Sequence, residues 1–142
     1  MPSKLHPGLS LTTEKVVLPE WSADRMGNPG IHVLSTPALV GVLDLLACEC
    51  LVPALETGQG SVGTKINVSH LAATPVGMKI WARAEVVEVE GKRIVLKVEA
   101  RDEHELIASG TIERYVMGSV QKFLARISAK SRGERHEKPP VS

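Results

Sequence analysis

Aromatic residues are nearly missing: one phenylalanine, one tyrosine and two tryptophans make up 3% of 142 residues. With so few rings to stack on, a binding platform for single-stranded nucleic acid is excluded. Excess charge is missing too. Seventeen Lys and Arg residues oppose 16 Asp and Glu residues, for a formal net charge of +1. That leaves no electrostatic footprint for DNA, RNA or an anionic membrane surface. Cysteine is confined to Cys48 and Cys50. Side chains two apart on a helix point to different faces, so these two are not expected to pair, and no Cys/His set has zinc-site spacing. The opening residues, Met1 to Gly8, lack the apolar core of a secretion signal. Asp44, Glu49 and Pro53 interrupt the longest apolar stretch, which argues against a membrane span. The expectation is a reduced, cytoplasmic protein with no metal or cofactor, no nucleic-acid partner and no membrane partner.

What the chain does have is a single domain's worth of patterned sequence. Residues 1–130 read as that domain; residues 131–142, charged and carrying Pro139-Pro140, read as a disordered tail. Glu14 to Leu18 forms a short strand candidate. Trp21 to Ile31 is loop-like, with Gly27-Asn28-Pro29-Gly30 as turn chemistry. Ser35-Thr36-Pro37 starts a helix, a hydroxyl residue to cap it and proline in its first turn, and the helix should run to about Val52. Four strands follow: Ser61 to Leu71, Lys79 to Glu90, Arg93 to Arg101 and Glu105 to Val116. They are β-branched, alternating and joined mostly by short turns, so they should pair antiparallel. Val120, Phe123, Leu124 and Ile127 close the domain with a short amphipathic helix. The fold class is α+β: an antiparallel sheet wrapped around one long central helix. One such sheet leaves surface uncovered, so at least a homodimer is expected, with the strand from Ser61 to Leu71 as the edge that invites its copy.

Asp44 stands out inside the run Pro37 to Cys48, which is otherwise wholly uncharged and almost entirely apolar. A carboxylate taken out of water needs a partner, and buried ionisable groups cluster at functional sites. Alternation locates two more polar groups. His70 is in phase with Val62, Ile66 and Val68, so it should face the helix; Arg114 is in phase with Leu106, Ala108, Ile112 and Val116. Thr36 stands at the helix N-terminus, where backbone N–H groups are free. Each alone has a plain structural reading: a satisfied core histidine, a structural ion pair, a helix cap. Together an acid, an imidazole, a hydroxyl and a guanidinium converging in one small apolar domain have the make-up of an acyl-transfer or proton-transfer site. Asp44 and His70 are expected to be a hydrogen-bonded pair.

The chain resembles the hot-dog-fold thioesterases, and among them the fluoroacetyl-CoA thioesterase family, over roughly residues 36–130. Thr36 with the helix through Ala47-Cys48, Glu56 to Thr64, Val68 to Met78, Val89 to Arg93 and Gly110 to Arg114 carry the likeness. The resemblance implies an acyl-CoA thioesterase acting on an acyl-CoA substrate, with Thr36, Asp44 and His70 as its catalytic triad and Gly63 and Arg114 lining the acyl pocket. Two features depart from the family. Its carboxylate is glutamate, longer than Asp44 by one C–C bond of roughly 1.5 Å, which favours activation of water over direct attack. The loop before the helix is shorter and has no phenylalanine, so the lid of the fluoroacetyl-CoA enzyme and its fluoroacetyl specificity are not expected. Three rival readings remain: a non-catalytic acyl-CoA-binding domain, a hot-dog enoyl-CoA hydratase or dehydratase using Asp24 and His32, and a thiol nucleophile at Cys48. Lys65, Arg83, Lys92 and Arg93 are all candidates for the CoA phosphates, with nothing in the sequence to choose among them.

Overall fold

Ser35, in an extended conformation, accepts a hydrogen bond from the Ala38 N–H through its side chain and so caps helix α1, Thr36–Leu51. Pro53 has no N–H to continue the ladder, and the chain tightens into a 3₁₀ turn over Val52–Ala54. The computed structural model describes residues 4–133. Around α1 it places β1 (Ser10–Val16), β2 (Gly60–His70), β3 (Lys79–Glu90), β4 (Arg93–Asp102) and β5 (Leu106–Met117), followed by α2 (Val120–Ser131). The strands form one antiparallel sheet in the order β1-β3-β4-β5-β2. β1 begins and ends earlier than expected. It is an edge strand of mostly polar residues, so alternation marks its limits poorly.

The core lies between α1 and the concave face of the sheet. Ile94, Leu96, Val98 and Ala100 alternate along β4 and are fully buried; Leu39, Leu43 and Ala47 of α1 are sealed from solvent as well. By length and composition the segment Thr36–Ala54 is apolar enough to cross a membrane. Its apolar character is instead that of a core helix, because its inner face is spent on the sheet. Helix α2 forms where the pattern places it, but Leu124 and Ile127 stay exposed. The expected tail at 131–142 begins inside this element: Ser131 ends α2, and residues 134–142 lie outside the described part.

The turn from β4 into β5 is held by a buried polar knot. Thr74, fully buried, donates its hydroxyl to Asp102 Oδ2 at 2.9 Å, and the backbone N–H groups of His104 and Glu105 donate to Oδ1 at 2.8 and 2.9 Å. Burial pushes the Asp102 carboxyl up; the three hydrogen bonds outweigh it and hold the group below its ordinary range. A depressed folded-state pKa contributes stability above the unfolded value, about 3.9, that is lost as pH falls through the folded value. Asp102→Asn should therefore lower stability at pH 7 by about 2 kcal/mol. The gap to the parent protein should close towards pH 2, as read by urea unfolding across pH. A pH-independent gap would remove the charge from this account.

Candidate active site

The structure gathers the expected site residues into two clusters at opposite ends of β2. At one end Thr36 Oγ1 and His70 Nδ1 lie 2.8 Å apart. Because Ser35 does the capping, the Thr36 hydroxyl at the first helical position is free for the imidazole. His70 Nε2 is buried and has no hydrogen-bond partner among the described residues. At the other end Arg114, 5% exposed, donates from Nη1 to Asp44 Oδ1 at 2.7 Å. Its remaining groups are also used: Nε donates to Ser61 Oγ at 2.9 Å and Nη2 to the Ser61 carbonyl at 2.8 Å. The head group of Arg114 is therefore turned away from bulk solvent, with Asp44 as one of its partners. The guanidinium is bound on three sides by the protein, and what it does is fix the Asp44 carboxylate, whose side chain stays 34% exposed.

Asp44 and His70 are not a pair within this chain. Eight residues on a helix separate Thr36 from Asp44 by about 12 Å along the axis, and His70 goes with Thr36.

A β-bulge builds the second cluster. Gly63 pairs with Arg114 and Lys65 with Glu113, leaving Thr64 as the extra residue. Its hydroxyl donates to Glu113 Oε2 at 2.8 Å and secures the irregularity. Simple alternation over seven residues would turn Gly63 and His70 to opposite faces; the bulge turns both inward. It also corrects the expected phase of Val62, which pairs with the outward-facing Tyr115. A similar irregularity displaces Leu106, whose partner is the exposed Arg101, from the inward set of Ala108, Ile112 and Val116. Gly63 has a definite reason to be glycine. A Cβ there would lie 3.2 Å from Asp44 Oδ1 and 3.3 Å from Arg114 Nη1, so its lack of a side chain lets the ion pair pack against the strand. Gly63→Ala should push the carboxylate aside and lower turnover about ten-fold with the fold intact. Unchanged kinetics would mean that the position of Asp44 is not critical.

Ser61 was not among the expected site residues. A serine near a strand start carries no signal of its own, and only the bulge turns it towards Arg114. The other candidates lie elsewhere. Asp24 accepts a hydrogen bond from the Gly30 N–H and shapes its own loop, while His32 is exposed; they do not form a hydratase dyad. Cys48 is half-buried one turn after Asp44 and lines a cavity of about 380 Å³ with Gly60 and Ser61. Cys50 is buried, and burial raises its thiol pKa against the lowering pull of Arg83, so it is poorly suited to act as a thiolate. Glu49 is exposed, at the rim of a separate cavity of about 310 Å³ beside Trp21.

Comparison with solved structures defines the class: a hot-dog fold of the thioesterase type. A hot-dog-like protein from Thermanaerovibrio acidaminovorans matches with a TM-score of 0.81 and 29% identity, covering 87% of this chain and 91% of that one. A structure of the fluoroacetyl-CoA thioesterase matches with a TM-score of 0.80 and 35% identity over 89% of this chain and 97% of that one. The chain belongs to the fluoroacetyl-CoA-specific thioesterase family, whose model matches residues 17–120. The fluoroacetyl-CoA thioesterase of Streptantibioticus cattleyicolor is 40% identical over 100 residues, 70% of this chain and 71% of that protein.

Proposed function

We propose that this thioesterase hydrolyses an acyl-CoA to the free acid and coenzyme A at a site shared between two copies of the chain. One observation carries the reading. The Thr36–His70 pair and the Asp44–Arg114 pair flank a strand, β2, that has a sheet neighbour on one side only. On its inward face Ile66 is 45% exposed, and Leu71, just past the strand, is 54% exposed, an apolar surface with nothing from this chain over it. With Thr64 passed over as the extra residue of the bulge, two β2 edges pairing antiparallel about Asn67 set Gly63 of one subunit opposite His70 of the other. Asp44 packs against Gly63, so that register carries its carboxylate to the partner's orphaned Nε2.

The chemistry follows from the residues. The Thr36 hydroxyl donates to His70 Nδ1, which keeps the ring proton on Nε2, directed at the Asp44 carboxylate of the other subunit. Arg114 holds that carboxylate in place. Asp44 takes a proton from water as the water oxygen bonds to the thioester carbonyl carbon. The tetrahedral intermediate then releases the thiolate as the C–S bond breaks, and the thiolate takes the proton back from Asp44. The shorter aspartate and the absence of phenylalanine before α1 support an acyl group other than fluoroacetyl; the only phenylalanine, Phe123, is on α2. Both thiols are free, in keeping with a reducing cytoplasmic setting.

Complementation tests the shared site. Asp44→Asn and His70→Ala homodimers, each inactive alone, are unfolded together and refolded. Half of the dimers are then mixed, and each mixed dimer holds one intact site of two, so about a quarter of the parent activity should return. If each site lay within one subunit, no mixed dimer would hold an intact one and no activity would return. A screen of short, branched and aromatic acyl-CoAs, read by free-thiol release, provides the substrate; failure to turn over any of them would favour a non-catalytic acyl-CoA-binding domain.

A further inference from the structure

The outer face of α1 is apolar where a solvated helix would be charged. Its exposed stripe runs Pro37, Gly41, Leu45, Glu49, one residue at every fourth position, and only the last is charged. Leu45 is 55% exposed, and Val52, just past the helix, is 58% exposed. Beside this stripe, between α1 and β1, lies the cavity of about 310 Å³. Gly41, Val42, Leu45 and Leu46 of α1 line it together with Trp21. From β1 comes Lys15, which pairs with the buried Ile80 and so faces the same side of the sheet as α1. Lys15 and Glu49 both line this cavity. Neither has an opposite charge within ion-pair distance among the described residues. Gly41 leaves a notch in the stripe, since a Cβ there would meet nothing within 4 Å.

We propose that this face docks onto the same face of a second copy of the chain, about a two-fold axis. Leu45 of each copy sits in the other's cavity beside Gly41, and Lys15 of each pairs with Glu49 of the other. Shape fits that occupant, because a protruding leucine stands next to a notch and a two-fold contact uses both halves twice. At about 310 Å³ the cavity is roughly twice the size of an apolar cavity that takes up benzene, about 150 Å³, so a leucine side chain has room to enter. Charge fits it as well. Each face carries one unpaired cation and one unpaired anion, and the two-fold axis turns them into two ion pairs. A stripe of residues four apart is also the ridge that packs against a like ridge in the commonest helix crossing, at roughly −50°. The contact leaves the β2 edge free. β1 and β2 are the two ends of the sheet, and Asp44, which touches Gly63 of β2, lies on the opposite flank of α1. Dimers paired through β2 would therefore be joined in twos, as tetramers.

Charge reversal in complementary halves tests the contact. Lys15→Glu makes both charges of the face negative, and Glu49→Lys makes both positive; neither residue is in the proposed catalytic set. By sedimentation of the full chain at micromolar concentration, each variant alone should assemble with half as many chains as the parent. Mixed in equal amounts, the two should regain the parent's number, since each contact then joins a negative face to a positive one. That recovery also shows both variants to be folded. Gly41→Leu should halve the number too, because the chain itself has room for the side chain and the contact does not. Halving is read against the parent's own number, so the result is independent of whether β2 edges pair. The proposal is overturned if the parent is a single chain, if any of the three variants keeps the parent's number, or if the mixture stays at the halved number.

Discussion

Asp44→Asn should reduce turnover of the best acyl-CoA by on the order of 10²–10⁴-fold, the range for loss of a positioned general base. The substitution suits the question because it changes little else. The asparagine amide has the shape of the carboxylate, so the contact with Gly63 is kept, and its oxygen can still accept the Arg114 Nη1–H bond now made at 2.7 Å. What disappears is the negative charge and the ability to take a proton. Affinity for coenzyme A should stay within two-fold and the far-ultraviolet circular dichroism spectrum should be unchanged. The melting temperature should fall only modestly, because Arg114 loses its counter-charge but not its hydrogen bonds. If the variant hydrolyses its substrate at near-parent rates, Asp44 is a structural acid holding Arg114, and the catalytic base has to be sought elsewhere.

Much of this arrangement was legible in the chain. Gly91-Lys92 made a tight turn visible, and the alternation through Ile94, Leu96 and Val98 made β4 unambiguous, because a strand with one buried face writes that face into every second residue. The inward phase of Arg114 was readable in the same way from Ile112 and Val116. Periodicity reports which face a residue occupies, but not how far along the element it lies from another residue on a different element. For that reason Thr36, Asp44 and His70 could be picked out without showing which of them meet inside one chain. The polar groups do meet in twos, but as Thr36 with His70 and Asp44 with Arg114. The bulge was invisible because Thr64 is an ordinary strand residue, and with it went the phase of Val62 and the role of Ser61.

Arg114→Met should be the most destabilising single change at the site, although methionine fills a similar apolar volume. The guanidinium makes three hydrogen bonds to two residues, and two of its acceptors, the Ser61 carbonyl and the Asp44 carboxylate, carry full or strong partial negative charge. Methionine satisfies neither. Removing one member of a buried ion pair costs about 3–5 kcal/mol when the other is left sealed in. Asp44 retains access to solvent, so the lower end applies, about 3 kcal/mol, to be read as the loss in urea unfolding free energy. Arg114→Lys should recover little of it. A point charge on a flexible stem cannot serve Asp44 and both Ser61 acceptors in one plane. Activity should fall with stability in both variants, but through Asp44: kcat drops because the carboxylate is no longer fixed, while KM for acyl-CoA changes by less than about three-fold, since each nitrogen of Arg114 is already engaged by the protein. A rise in KM with kcat preserved would instead place the Arg114 head group on the acyl-CoA and overturn its assignment as the residue that positions Asp44.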